Sequence, residues 1–196
     1  GGDFDLAGFA VGAMERGQAL PSGVAAGDVL LGLASDGVHS NGYSLLRKLV
    51  DVSGLTWDAA CPWSDRSLGA ELLTPTRLYV KPALAAMRAG GVNAMAHITG
   101  GGLTENLPRV LPEDLGAQID LGTWVLPDVF RWMAEAGGLE PSEMLKTFNC
   151  GIGMVVAVQA AQADAITALL AGMGEDVTRI GYVSGTPGVS FTGTLM

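Results

Sequence analysis

Cysteine is scarce: Cys61 and Cys150 are the only two in 196 residues. They lie far apart and form no C-x-x-C pair, which excludes a disulfide framework and a cysteine-built zinc site. A reducing, cytoplasmic setting is the simplest expectation. Histidine is equally sparse, with His39 and His97 alone and no ligand partner at i+4, so no metal-ligating residue is expected. Basic residues number 11 against 20 acidic ones, a formal net charge of −9. No stretch gathers Lys and Arg into a stripe that neutralises a run of phosphates, so nucleic acid is not an expected partner. Apolar runs are short, Gly151 to Val158 included, well below the ~20 residues that span a bilayer; no membrane partner is expected either. The opening stretch GGDFDLAGFAVGAMERG has no basic n-region and no initiating Met. It reads as a chain that begins mid-protein rather than as a signal peptide.

What the chain does have is apolar bulk and glycine: 48% hydrophobic residues, 16% charged ones and 29 glycines, a composition of buried α/β domains rather than of disorder. One domain over 1–196 is expected, with 184–196 a turn-rich peripheral tail. The patterning alternates. Leu6 to Met14 and Asp28 to Ala34 read as strands, with a Gly/Pro-rich connection at 17–27 between them. Leu45, Leu46, Leu49 and Val50 then recur at helical spacing, and a surface excursion follows over Ser53 to Ser67. A helix is expected over Arg77 to Arg88, kinked or started late by Pro82. Ala94 to Thr99 reads as a strand, Gly100 to Gly102 as a tight loop and Thr104 to Val110 as a short helix. Further strands are expected at 117–121, 152–158 and 177–183, and helices at 127–136, 141–148 and 160–171. Strands alternating with helices predict an α/β (α+β) sandwich, a mixed parallel and antiparallel β-sheet flanked by helices.

Both histidines fall at or just past a predicted strand end, beside glycine loops that feed helices. Such loops are where α/β sheets bind ligands, because backbone N–H groups converge there. In ASDGVHSNGYSLLRKLV, Asp36, Gly37 and Gly42 shape a turn, while His39, Ser40 and Asn41 are candidates for chemistry. G-x-S-x-G fails at Val38, which argues against a serine nucleophile elbow. TGGG, Thr99 to Gly102, is neither G-K-[ST] nor G-x-G-x-x-G, yet consecutive N–H groups followed by a helix suit an anion. Phe148 to Met154, FNCGIGM, places Asn149 and Cys150 between a helix end and a strand; Cys150 fits a buried small hydrophobe better than a nucleophile.

Five stretches, DFDLAGFAVGAMER, SDGVHSNGYSLLRK, LLTPTRLYVKP, AHITGGGLTENLPRVLP and KTFNCGIGM, stand in an order that resembles the C-terminal domain of aminoimidazole ribonucleotide synthetase, the phosphoribosylformylglycinamidine cyclo-ligase family. The resemblance covers Asp3 to about Val183. It implies an enzyme of purine biosynthesis that uses ATP and Mg²⁺ to close formylglycinamidine ribonucleotide into aminoimidazole ribonucleotide. His39 would then stabilise charge or move a proton, since imidazole titrates near neutrality. Ser40, Asn41, Gly42 and the Thr99, Gly100, Gly101, Gly102 loop would meet the substrate's ribose phosphate and backbone. ATP and Mg²⁺ would be held mostly by a preceding domain that nothing here matches, and the full-length enzyme would be a homodimer. The same architecture is implied for formylglycinamidine ribonucleotide synthetase, selenophosphate synthetase, thiamine monophosphate kinase and a hydrogenase maturation factor, so fold alone leaves the substrate open. A related ATP-dependent synthetase and a non-catalytic phosphate-binding or assembly domain are the alternatives.

Overall fold

In a computed structural model, residues 7–195 are described, and within them one six-stranded sheet organises the chain. Its strands are β1 (Val29–Ala34), β2 (Val92–His97), β3 (Gly116–Asp120), β4 (Ile152–Val158), β5 (Val177–Ser184) and β6 (Gly188–Thr192). The order across the sheet is β2-β4-β1-β5-β3-β6. Every pairing is antiparallel except β3 with β6, which is parallel. The expected mixed sheet flanked by helices is therefore the observed fold.

The central strands are the apolar ones. VLLGLA of β1 and IGMVVAV of β4 are near-continuous apolar runs, as strands covered on both faces must be. Alternation sends Leu30, Ile152, Val155 and Ala157 into one core and Leu31, Leu33, Val156 and Val158 into the other. The first core is closed by α1 (Tyr43–Ser53), α2 (Leu68–Leu72), α4 (Gly102–Asn106), α5 (Asp128–Gly137) and α6 (Pro141–Thr147), and the second by α3 (Val80–Ala89) and α7 (Ala163–Gly172). With only two helices, the second layer stops short of β3 and β6. Gln118 faces Tyr182 on one side and Ser190 on the other, and Tyr182 remains half exposed.

Several expectations shift. Leu6 lies outside the described residues, and 7–14 form no strand: Phe9, Val11 and Met14 are exposed. An apolar run becomes a strand only where a partner's N–H and C=O rows meet it, and the β2 edge is met later, where the Ser22 N–H donates to Asn93 O at 2.8 Å. Pro82 starts the helix late rather than kinking it. It is the third residue of α3, a position whose N–H has no intrahelical partner to lose. The helix expected at 104–110 is α4 followed by a 3₁₀ turn at Pro108–Val110. Leu68–Leu72 forms a helix just past the predicted excursion, opened by Ser67 Oγ accepting from the Ala70 N–H.

The tail is not merely peripheral. Gly188–Thr192 is the edge strand of the sheet, because Val189 and Phe191 pack on the first core while Ser190 and Thr192 face out, a period-two pattern hidden among turn residues. Within that core, Phe130 is fully buried and tilts against Phe148 at 6.3 Å between ring centroids. Truncation to Phe130→Ala is expected to cost about 3–5 kcal/mol, read as a lower urea midpoint with an unchanged slope.

Candidate functional site

Strand polarity assembles the loops. β1 and β2 each run antiparallel to β4, so both end at the margin of the sheet where β4 begins. Three segments meet there: Ser35–Gly42 after β1, Ile98–Gly101 after β2, and Asn149–Gly151 before β4. Backbone bonds tie them to the sheet, Ser35 N–H to Gly151 O at 2.8 Å and Ile98 N–H to Gly153 O at 2.9 Å.

His39 does not face outward. It sits at φ 60°, is 2% exposed, and its Nε2 accepts from the backbone N–H groups of Asp36 at 3.2 Å and Arg77 at 3.4 Å. An accepting Nε2 leaves the imidazole proton on Nδ1, which is buried and has no hydrogen-bond partner. Burial first, then the charge of His97, lower its pKa from the ordinary imidazole value; Asp36 opposes this and Arg77 reinforces it. The ring centroid is 6.2 Å from Tyr79 and 6.5 Å from His97. Tyr79 donates its hydroxyl to Ala34 O at 2.6 Å, and burial raises the phenol's pKa. This cluster fits only because residue 153 is glycine: a Cβ there would lie 2.1 Å from Tyr79 Oη and 2.7 Å from His39 Cε1. The expectation that the loop presents His39 to a substrate is thus replaced. His39 holds the loop, because two inward-pointing N–H groups need an acceptor.

Ser40 and Asn41 are the outward residues. Ser40 Oγ and Thr76 Oγ1 are 3.1 Å apart, and Asn41 Oδ1 accepts from the Gly100 N–H at 2.9 Å. That bond brings together the two loops singled out in the sequence. Gly42, at φ 74°, starts α1 against Phe148, whose Cε1 would be 2.2 Å from a Cβ.

The glycine loop is not an open anion cradle. Its Gly100 N–H is given to Asn41 and its Gly102 N–H to Thr99 O, so two of the expected donors are engaged inside the protein. The carboxylate of Glu105 lies beside Gly101, 2.7 Å from where a Cβ would stand, and opposes an anion there. What shapes the loop is Asn106. Its Nδ2 faces Gly102 O at 2.8 Å, Gly100 O at 3.2 Å and Thr99 O at 3.3 Å, and its Oδ1 accepts from Thr99 Oγ1 and Arg109.

Asn149 does the same for the opposite loop. Its Oδ1 accepts from Ser35 Oγ at 2.8 Å and the Gly151 N–H at 2.9 Å, while Nδ2 donates to Gly37 O at 2.9 Å. Cys150, next to it, is fully buried, and burial pushes its thiol up to about 12, which removes it as a nucleophile. Arg77 pairs with Asp36 at 2.6 Å and Glu175 at 2.9 Å and donates to Gly174 O. Arg77 and Asn106 lie inside two of the five stretches of the resemblance, LLTPTRLYVKP and AHITGGGLTENLPRVLP, but neither is singled out there; Asn106 is the last residue of the helix that the glycine loop opens.

The implied Mg²⁺ finds no ligand cluster in this arrangement. Among the described residues no group of three or more His, Cys, Asp or Glu side chains is placed to hold a metal ion. The cleft beside Ser35–Val38 measures about 180 Å³ and is bordered by Asp36, Glu71 and Asp128, the wrong charge for a triphosphate; a second hollow at this margin, lined by Ser35, Gly151 and Asp176, measures about 420 Å³.

Residues 25–194 match a family model described as AIR synthase related protein, C-terminal domain. In fold the chain is similar to thiamine-monophosphate kinase from Stenotrophomonas maltophilia K279a, with TM-score 0.65 and 21% identity over 93% of this chain and 56% of that one. It is also similar to E. coli HypE, a hydrogenase maturation protein (TM-score 0.61, 23% identity, 88% and 48% covered). A third similar structure is T. maritima PurL complexed with AMPPCP (0.54, 15%, 90% and 25%). The chain therefore spans about half the length of the first two.

Two substitutions test the loop geometry. Asn149→Ala strands the buried Gly151 N–H and the half-buried Ser35 hydroxyl and Gly37 carbonyl and is expected to cost about 1–3 kcal/mol, with loss of amide protection at Gly151. Gly102→Ala would put a Cβ 2.0 Å from Leu145 O at φ 56°; a loss above about 1–3 kcal/mol, the range for αL strain alone, is expected in chemical denaturation.

Proposed function

The chain belongs to the AIR synthase related protein, C-terminal domain, family, and we propose that it is the C-terminal domain of an ATP-dependent cyclo-ligase that converts formylglycinamidine ribonucleotide to aminoimidazole ribonucleotide in the cytoplasm. The observation that carries this reading is the direct bond from the Gly100 N–H to Asn41 Oδ1. It joins the two stretches, SDGVHSNGYSLLRK and AHITGGGLTENLPRVLP, on which the resemblance to the cyclo-ligase is strongest. Use of ATP is supported by the fold relatives, one of them a kinase by name and another solved with both AMPPCP and ADP.

In this reading the chain supplies one wall of the site. Ring closure must turn an amide oxygen into a leaving group, a task of positioning and charge stabilisation. Because no cluster of His, Cys, Asp or Glu among the described residues is placed to hold Mg²⁺, activation of that oxygen is assigned to a preceding domain, which also carries the contact between two copies in a homodimer. The chain's own part is to hold the uncharged portion of the ribonucleotide, since Glu105 beside Gly101 opposes its phosphate there. Ser40, Asn41 and Thr99 line the joined loops with neutral hydrogen-bonding groups, and Gly100 and Gly101 let a substrate approach the backbone closely. His39 acts at one remove, by fixing the direction in which Ser40 and Asn41 leave the turn.

The deciding measurement is ADP release, with imidazole product detected separately, from the protein joined to its ATP-binding domain. Formylglycinamidine ribonucleotide is expected to support both signals, and the 196-residue chain by itself neither. ADP release with thiamine monophosphate and not with the formylglycinamidine substrate would replace this reading with a kinase, and turnover by the isolated chain would overturn the division of labour. Asn41→Ala is expected to raise KM for the ribonucleotide more than it lowers kcat, as loss of a binding contact does.

A further inference from the structure

His39 is the one described histidine that is buried, and its surroundings contain a conflict that only its uncharged form resolves. The backbone N–H groups of Asp36, from its own turn, and of Arg77, from the segment leading into α3, both point at Nε2. These two segments are otherwise joined by the Asp36–Arg77 ion pair at 2.6 Å and by the hydroxyls of Ser40 and Thr76. Nδ1 already holds the proton of the neutral ring and meets no acceptor.

We propose that His39 is an acid-labile pin: uncharged, it locks the Asp36–Gly42 loop to the Thr74–Tyr79 segment, and protonation releases the two together. A proton on Nε2 turns the acceptor into a donor facing two other donors, so both bonds are lost in one event. Little nearby compensates for the charge. From β2 comes His97, a second imidazole and no counter-ion for the charge; from the other segment comes Arg77, already cationic; Tyr79 donates its hydroxyl to Ala34 O. The one carboxylate on the His39 side, Asp36, is bound to Arg77, which also engages Glu175. β4 offers only Gly153. Release reaches further than the turn. Asn41, two residues on, carries the bond to Gly100, so acid uncouples the His39 loop from the glycine loop as well.

The sign follows from linkage. With its native pKa depressed below the ordinary 6.5, His39 binds its proton more readily once the pin is open. The stability it contributes is complete above pH 6.5 and falls as pH drops from there to the native value, below which the loss is constant. In that window the opening equilibrium rises by up to about tenfold per pH unit.

Hydrogen exchange of the protein, corrected for intrinsic pH dependence and followed from pH 8 to 5, reads this directly. Residues 36–42 and 74–79 are expected to lose protection together while β1 and β4 keep theirs. His39→Gln, whose side-chain oxygen can accept at the Nε2 position without titrating, is expected to abolish the pH dependence. His97→Gln, which removes a nearby charge, should narrow the window. Nitrogen chemical shifts of the wild-type ring at pH 8 provide a check independent of any variant's folding: the proton is expected on Nδ1. A ring protonated on Nε2 at that pH overturns the proposal. So does loss of protection in one segment without the other, or an acid response that persists in His39→Gln.

Discussion

The pairing of β4 between β1 and β2 is the constraint on which the site depends. An antiparallel strand inserted between two neighbours forces those neighbours to be parallel to each other, and here that sends the chain out of β1 and β2 at the same margin. Asn149 and Gly151, arriving at that margin to begin β4, are then within reach of both exits. The contacts are long-range in sequence: Ser35 with Asn149, Asn41 with Gly100, His39 with Arg77. Register matters as much as direction. Gly153 lies beside His39 and Tyr79, and a one-residue slip of β4 would bring the side chain of Ile152 or Met154 there and turn its apolar set to the opposite faces.

Neutral carboxamides, rather than charges, hold the loops in place. Asn106 and Asn149 are both almost fully buried and each satisfies several backbone or hydroxyl groups that would otherwise be stranded away from water. A carboxamide has two donors and an acceptor with two lone pairs, so a single side chain can replace the ladder bonds that a loop lacks. Aspartate could not, since its carboxylate would face the carbonyls of Thr99, Gly100 and Gly102. Among the charges, Arg77 is shared between Asp36 and Glu175, which leaves that group net acidic. The loops are therefore held by hydrogen bonds from neutral side chains, with Asp36 and Glu105 leaving their rim acidic.

The sheet was legible in the sequence wherever residues had one dominant environment. Val29–Ala34 and Ile152–Val158 are buried on both faces, and continuous apolar runs announce that. β6 escaped because an edge strand needs only Val189 and Phe191 on its inner face, with glycine and hydroxyl residues around them that equally well describe turns. Residues 7–14 erred the other way: Phe9, Val11 and Met14 have strand-like composition, but composition does not supply a partner edge. At the site, the positions of both loops are readable, and Gly37 and Gly42, expected to shape a turn, have positive φ. The direction of His39 is not readable, because whether a turn residue points in or out depends on Arg77, 38 residues away. The roles of Asn106 and of Asn149, the latter placed by the sequence between a helix end and a strand, are hidden for the same reason, their partners being mostly carbonyls and N–H groups that no side-chain pattern reports.

The burial of His39 also changes what kind of chemistry can be located on this chain. A general acid or base must reach a substrate proton directly or through one water, and a ring that is 2% exposed with its accepting nitrogen already taken does neither. The residues left at the surface of the joined loops, Ser40, Asn41 and Thr99, are neutral hydrogen-bonding groups with no pKa near neutrality. They can bind and orient; they cannot by themselves transfer protons at physiological pH. His97, at the end of β2 and exposed, is the one imidazole at this margin with access to solvent. What His39 contributes to this margin is an acceptor beneath the Ser40 and Asn41 surface, taken up by the N–H groups of Asp36 and Arg77.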